Sequence, residues 1–493
     1  MTKDVCVALD MGNSGGKVLA AAMENGRLEI LEERIIENRV VDVAGALYWD
    51  VFSIFRDLKA ALRDFSRLGT VRTIGVDSTS GCYAFVKRNG HLCAPPAFGR
   101  DLRYQNWERV IQKRMAKRDL YDETGVYPLG GNNICKLACD AESGDLEPWS
   151  NDVFLPFPAL MQFYLTGRYE LERSMAGAAV LMDRDFCDWN VPLLSRLGIP
   201  AAILPPIVEP CTFGEKLLPA VARETNCPEC RYVHTVEFDS STAMISAPLF
   251  SKDKIYLSMG TTINPGVELS APLLSDMAYE YRYKNVPVWP GSTMLLSDVP
   301  GFFLVAECLK AWHAAGCDVG HGDLVRMASQ ASTNAFLDLF DPTLCTACGD
   351  MPERVRAFCQ KTGQSVPETV GQIARVIYES YAVTLAWSIE RLCRITGRDD
   401  YEDVTIISGG SRNALLCQMI ADASGRIVRA GDPHATALGN LLVQFCALGE
   451  FSSLEKMRRA AADVCPMTRY EPKANAHLAA GLAFLTQNGF LRA

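Results

Sequence analysis

The sequence predicts an α/β protein of two to four domains whose halves open on two related turns facing one ligand. Three observations predict it. The chain has 493 residues, too many for one hydrophobic core, because domains average roughly 150 residues. Segments with two-residue apolar alternation are interleaved with segments of 3.6-residue spacing, the mixture that layers helices on sheets. The same design also opens both halves. "VALDMGNSGG" (7–16) and "IYLSMGTTINPG" (255–266) are each an apolar strand, a turn of Gly with Ser, Thr or Asn, and a second strand. A chain that begins both halves alike reads as a duplication, with two related turns facing one ligand.

The elements follow in order. VCVALD is a strand, and KVLAAAME and RLEILEERII continue it as a meander. VAGALYWDVFSIFRDLKAALRDF (43–65) has helical spacing and predicts one helix. RTIGVDST is a strand, and YAFVKRNGHLCAPP a hairpin around Asn89-Gly90. Residues 104–200 read as mostly helical, and YVHTVEFDSSTAMISAP as strand, turn, helix. After the second glycine turn come helices from GFFLVAECLKAWHAAG and PETVGQIARVIYESYAVTLAWSIERLCRITG. DVTIISGG is a strand. RNALLCQMIADASG is a helix with Gly425 as its C-cap, and HATALGNLLVQFCALGE and LAAGLAFLTQ close the chain as helices. The polar stretch at Ser251–Lys254 is the best break, dividing the chain into 1–248 and 249–493.

A net charge of −9 argues against a nucleic-acid or anionic-membrane surface, which would want clustered Lys and Arg. No run approaches the roughly 18 apolar residues of a membrane helix, and the first apolar run is too short for a signal-peptide core. These readings lead us to expect a cytoplasmic protein, monomer or homodimer, with no nucleic-acid or membrane partner. Of the 18 cysteines, Cys227/Cys230 and Cys345/Cys348 form CxxC pairs over a hundred residues apart. Zinc ribbons place such pairs about 15–20 residues apart, and a reducing compartment favours free thiols over a reversible disulfide.

The turns pose a chemical question. Gly12 to Gly16-Lys17 is one residue short of a G-x-x-x-x-G-K-[ST] loop, and Val18 stands where Ser or Thr should be. The dinucleotide G-x-G-x-x-G is absent too. Asn13, Ser14, Gly15, Gly16 and Lys17 still offer backbone N–H groups, an amide, a hydroxyl and an ammonium, the makings of an anion-binding nest. An ordinary hairpin turn is the alternative, weakened by the second copy at Gly260, Thr261 and Thr262. Asp10 ends its strand beside the first turn. A carboxylate there repels a phosphate unless a cation such as Mg²⁺ intervenes; a turn-capping role is the alternative. Gly409 and Gly410 form a third glycine turn, where a flat ring could pass, and Asn413 sits in the first helical turn behind it, able to reach a base or ribose. Asp239 follows a strand and opens a helix: either a cap or the base for a substrate hydroxyl. An ordinary carboxylate pKa near 4 would keep it ionised at neutral pH.

Through most of its length, in order, the chain resembles the FGGY carbohydrate kinases of the actin-like ATPase superfamily, and most the rhamnulokinase branch. The resemblance is carried by "VALDMGNSGGKVLAA", "IGVDSTSGCYAFVKRNGHLCAPPAFGRDLR", "FLPFPALMQFYLTGRYELERSMA", "EFDSSTAMISAPL", "YLSMGTTINPGVEL", "MPERVRAFCQKTGQSVPETVGQIARVIYESYA" and "ISGGSRNALLCQMIADASG…AGDPHATALGNLLVQ". It implies two ribonuclease-H-like domains with ATP, Mg²⁺ and a sugar in the cleft. By position it places Asn13 to Lys17 at the phosphates, Thr261 at the γ-phosphate, Gly410 at the adenine, and Asp239 as base with Phe238 and Ser240 near the sugar. Departures concentrate on the sugar side. The branch has D-T-W-G; here Asp77 is followed by Ser-Thr-Ser-Gly, so Ser80 or Gly81 takes the glycine's place. Phe238 replaces a His, Asp298 an Asn that contacts sugar, Thr262 a Trp, and Ala306 a Gln on the nucleotide side. Exchanging a His and gaining an Asp in one pocket changes which hydroxyls are read. The expectation is an ATP-dependent kinase of a rhamnulose-like deoxyketose. The alternatives are another ketose or polyol (ribulose, fuculose, xylulose, a tetritol), a nucleotide- or sugar-binding protein of the same fold that transfers nothing, and an acyl-phosphate kinase.

Overall fold

The structure, a computed structural model, describes residues 3–12, 15–99, 101–250, 254–345, 349–431 and 433–491. Among them, two large sheets repeat one plan. In the first, Asp4–Met11, Gly16–Glu24 and Arg27–Ile36 form an antiparallel meander. Its second turn is tight because Asn25 and Gly26 both take positive φ. On the other side of strand 4–11 lies the parallel strand Thr70–Ser78, then Arg231–His234 and the edge strand Thr212–Lys216. In the second sheet, Lys254–Met259, Thr262–Leu269 and Ser292–Leu296 form the meander, extended by Lys284–Trp289. Asp403–Ile407 and Ile427–Ala430 run parallel to strand 254–259 on its far side, and Thr468–Tyr470 closes the edge. Both opening strands are central and apolar, and so are buried.

Helices cover the sheets. The longest, Val370–Thr396, carries a Thr369/Gln372 capping box and ends on left-handed Gly397. Helix Ala435–Ala447 belongs by sequence to the second half but packs on the first sheet. Gln444 donates to the Val7 carbonyl at 2.9 Å and accepts from Thr73 at 2.7 Å. It also crosses helix Asp239–Ser246 so closely that a Cβ on Gly439 would stand 2.0 Å from the Thr242 carbonyl oxygen. A cut at 248/249 therefore runs between segments that pack together. These two helices tie the halves at the foot of the cleft.

The single helix expected over 43–65 is corrected. Val40–Val43 and Ala46–Trp49 form a hairpin, and the helix is Val51–Phe65. Ala44 and Gly45 both adopt positive φ, which a helix cannot contain. Asp50 then restarts the chain as an N-cap, accepting from the Ser53 amide. The mixed apolar spacing of VAGALYW satisfied both periodicities, and the turn decided between them. Among the described residues no helix is long and apolar enough to cross a membrane.

Candidate active site

Strand 4–11 ends in the cleft with Asp10. Its antiparallel neighbour is Lys17 and its parallel neighbour Asp77. Cross-strand partners share a face, so the Lys17 ammonium lies 3.6 Å from the Asp10 carboxylate. The Gly12 amide closes the turn on the Gly15 carbonyl at 3.0 Å. Gly16 is small for a packing reason: a Cβ would meet the Met11 side chain at 2.6 Å and the Asp10 carbonyl at 2.9 Å. Asn13 and Ser14 lie outside the described residues.

Asp77, expected at the sugar, lies instead beneath Asp10 and is fully buried. One of its oxygens accepts from Asn440 of the crossing helix at 2.6 Å, and the other has no partner among the described residues. Burial, and then the charge of Asp10, push its pKa well above the carboxylate range. It supports Asp10 from beneath and does not line the cleft.

Asp239 opens helix 239–246 at the cleft surface, its carboxylate accepting from the Ser240 amide at 2.6 Å and the Ser240 hydroxyl at 3.2 Å. Burial and the nearby Asp10 push its pKa up to about 6, against the pull of Ser240 and Lys284. That corrects the ordinary value expected from sequence, which could not see Asp10 beside it. Past strand 231–234 the segment leading to Asp239 keeps a bridge to the sheet, Phe238 to Ser78, and side chains hold the rest. Ser174 accepts from the Glu237 and Phe238 amides at 3.1 and 3.2 Å, and Glu172 from the Glu237 amide at 3.0 Å. Ser78 donates its amide to the Glu237 carbonyl at 2.9 Å and its hydroxyl to the Met11 carbonyl at 2.7 Å. Ser78 thereby fixes the Asp10 strand against the Asp239 segment. Behind it, His234 sits between Glu237 at 3.3 Å and Glu170 at 3.1 Å. Burial opposes the imidazolium, but the two carboxylates outweigh it and raise its pKa to about 9.

The second turn reaches the same cavity. Gly260, Thr261 and Thr262 line it, and the carbonyls of Gly260 and Thr261 are taken by the amides of Phe302 and Gly301. Beside them Ser258 shares a 3.1 Å hydroxyl contact with Ser408. Ser408 stands at φ +70°, ψ −175°, a region almost reserved for glycine; its sequence gave no sign of this. Of the third turn, Gly409 lines the cleft. Gly410 is buried, where a Cβ would strike Met259 at 2.5 Å and Phe302 at 2.7 Å. Asn413 is also buried, with its side chain turned to cap helix Ala414–Ser424 through the Leu416 amide. Both are explained by packing and capping, and the cleft wall here is formed by their neighbours Ser408 and Gly409.

Ser80, Gly81, Phe238, Ser240 and Asp298 line the same cavity, as do Tyr104, Trp107 and Asn132, which no sequence motif marked. Gly81 and Gly99 pack backbone to backbone, with the Gly81 carbonyl held from behind by the buried Lys136 ammonium at 2.6 Å. Asp298 is not a free charge. Lys284 grips both its oxygens at 2.9 and 2.7 Å, and Asn264 donates at 2.7 Å. The whole cavity is about 830 Å³ and takes its walls from both halves.

Two glycine turns, a carboxylate at a helix start and a polar wall carrying Lys284 and Asp298 thus share one cleft. The model of the FGGY family of carbohydrate kinases matches over its N-terminal domain at residues 5–246 and over its C-terminal domain at 255–448. The chain belongs to this family. It is an ATP-dependent sugar kinase with the family's two-domain, ribonuclease-H-like fold. It is 28% identical over 472 residues to a rhamnulokinase of Bacteroides thetaiotaomicron, covering 94% of this chain and 95% of that one. Its fold is similar to that of a ligand-bound xylulose kinase from Lactobacillus acidophilus, with TM-score 0.80, 16% identity, and 98% and 96% coverage. A gluconate kinase from the same organism matches with TM-score 0.80, 15% identity and 99% coverage of both chains.

The CxxC pairs play no visible part in this site. Cys227 and Cys230 are buried, and burial raises both thiols, which disfavours the reactive thiolate. Cys345 is exposed, and Cys348 lies outside the described residues.

Proposed function

We propose that this kinase transfers the γ-phosphoryl group of ATP to a hydroxyl of a neutral ketose, a rhamnulose-like deoxyketose first, with Mg²⁺ as cofactor. The observation that carries the reading is Asp239, set in one cavity between the Asp10–Lys17 turn and the Lys284–Asp298 end. Asp239 takes the proton of the acceptor hydroxyl as its oxygen bonds to the γ-phosphorus and the bond to ADP breaks. The transition state is loose, so positioning the hydroxyl is the larger part of this task. Lys17, with the turn at 12–16, and Thr261 from the second turn are the natural contacts for the triphosphate, and Gly409 for the base.

The donor set fits a divalent cation. Asp10 and Asp239 bring unbalanced negative charge to the place where phosphates must sit, and only Lys17 offsets Asp10. Among the described residues no cluster of three or more His, Cys, Asp or Glu could hold a metal alone. Mg²⁺ commonly takes one or two carboxylates and completes its shell with phosphate and water. Bound by Asp10 and Asp239, it would neutralise charge on the triphosphate.

A rhamnulose-like acceptor is supported by the Bacteroides relative's name and by a pocket whose only change of charge, Asp298, is neutralised by Lys284. A different ketose or polyol is the second reading, favoured by the apolar Phe238 beside the base. The cytoplasm fits the 17 described cysteines, all free thiols, and because one chain supplies every wall of the cleft, a monomer or homodimer serves equally. An ADP-release assay over rhamnulose, xylulose, ribulose, fuculose and tetritols tests the reading. Turnover of rhamnulose above the others is expected. ATP binding with no product on any acceptor would overturn it in favour of a non-catalytic role.

A further inference from the structure

Lys284 is not in any motif, yet the structure places it with care. It begins strand 284–289, which the first half holds along its length. The Asn285 amide and side chain both donate to the Gly125 carbonyl at 2.9 Å. Ser241, two residues past the base, donates to the Pro287 carbonyl at 2.9 Å, and Pro287 lies so near Gly177 that a Cβ there would be 2.6 Å away. Lys284 pairs with Leu296 in the second sheet, is backed by the first half through its neighbour Asn285, and reaches Asp298 on the turn after strand 292–296.

Its hydrogen-bond capacity is only partly used. An ammonium has three donors; two go to Asp298, and Lys284 has no other protein acceptor among the described residues. On Asp298, Oδ1 takes Lys284 and Asn264 while Oδ2 takes Lys284 alone. One donor and one acceptor remain, side by side on the cleft wall. That is the complement of two hydroxyls on adjacent sugar carbons, one accepting from Lys284 and its neighbour donating to Asp298. The same pair excludes an acid. Asp298 repels a carboxylate, and the cation that would bind one is already neutralised.

We propose that Lys284 is a specificity-determining residue. With Asp298 it reads a vicinal diol of a neutral acceptor and rejects aldonates. The inference rests on the sugar-kinase reading above and refines its acceptor class.

The full chain is compared as wild type, Lys284→Met, Lys284→Arg and Asp298→Asn, with L-rhamnulose, D-xylulose and D-gluconate as probes. Binding is read by isothermal titration with ADP and Mg²⁺ present, and turnover by ADP release. Wild type is expected to bind a ketose and not gluconate. Lys284→Met should weaken ketose binding and raise KM by about tenfold or more, the scale of a hydrogen bond to a charged group, with kcat nearly unchanged once the pH is well above the Asp239 pKa, which the lysine helps to hold down. Lys284→Arg keeps the cation on the carboxylate and should hold KM within about threefold. Asp298→Asn frees the ammonium and should gain gluconate binding. The inference is overturned if Lys284→Met lowers kcat while KM and binding stay at wild-type values, or if folded Asp298→Asn still rejects gluconate. Wild type that binds a ketose without phosphorylating it refutes the kinase assignment of the acceptor, and the binding arms then decide Lys284. Wild type that binds neither ketose overturns both.

Discussion

Asp10-Met11-Gly12 and Ser258-Met259-Gly260 stand at the same place in two sheets of one plan, and they bring opposite chemistry to the cleft. In the first, Asp10 lies beside Asp77 across the parallel ladder. In the second, Ser258 lies beside Ile407 and shares its hydroxyl contact with Ser408. The first half supports its turn with ionisable and polar side chains: Lys17 on Asp10, Asn440 on Asp77, and the His234–Glu237–Glu170 group behind Asp239. The second half clamps its turn with backbone bonds from Gly301 and Phe302. On the proposed reading the two turns hold one triphosphate and their side chains divide the work: proton and metal chemistry at the charged turn, neutral donation at the hydroxyl turn.

The largest effect should come from the charged side. Asp239→Asn keeps shape and removes the base, so kcat should fall about 10²–10⁴-fold while ATP binding by titration stays intact. Loss of ATP binding instead would place Asp239 with the nucleotide and undo the division.

The buried charge behind Asp239 also makes stability depend on pH. His234 has a pKa of about 9 folded against 6.5 as a free group, so its contribution is fully present below pH 6.5 and is lost as pH rises through 9. The shift corresponds to about 3 kcal/mol. Denaturant unfolding from pH 6 to 10 should show wild type weakening more steeply over that window than His234→Gln, in which Glu172, with a pKa raised to about 8, still titrates. Equal slopes would mean the charges do not support the first half.

Next in size is an exchange of character. Ser258→Asp puts a carboxylate where the hydroxyl turn meets the phosphates, with no lysine opposite. Like charge of this kind costs on the order of 2 kcal/mol or more, so the KM for ATP should rise at least about tenfold with the KM for sugar unchanged. An unchanged ATP KM would show that Ser258 does not face the triphosphate.

Much of this was legible in the sequence, because strand–turn–strand patterns are local. The two turns, the strand before Asp239, and the helices with their glycine caps all follow from spacing within a few residues. What was hidden depends on distant partners. Asp77 looked like a pocket residue until Asn440, 363 residues on, was found against it. Asp298 was marked by the resemblance, but Lys284, fourteen residues before it, lies in no motif, so the pairing was not legible. Tyr104 and Trp107 come from a helical stretch whose pattern records burial alone. Gly16, Gly410 and Asn413 stand out in the sequence as candidate nucleotide contacts, and packing and capping account for each of them.

The smallest effect concerns Ser408, where the second half carries backbone strain in place of charge. A residue with a Cβ at φ +70°, ψ −175° costs on the order of 1–3 kcal/mol relative to glycine. Glycine also gains freedom in the unfolded chain, worth roughly 0.5–1 kcal/mol the other way, so Ser408→Gly should stabilise the fold by only about 1 kcal/mol. The same change deletes the hydroxyl paired with Ser258 and should raise the KM for ATP less than Ser258→Asp does. Gain in unfolding free energy together with loss of ATP affinity would show that strain is kept at this turn for its hydroxyl. Stabilisation with unchanged ATP affinity would leave the serine without a role there, and donation would fall to Thr261 and the backbone of its turn.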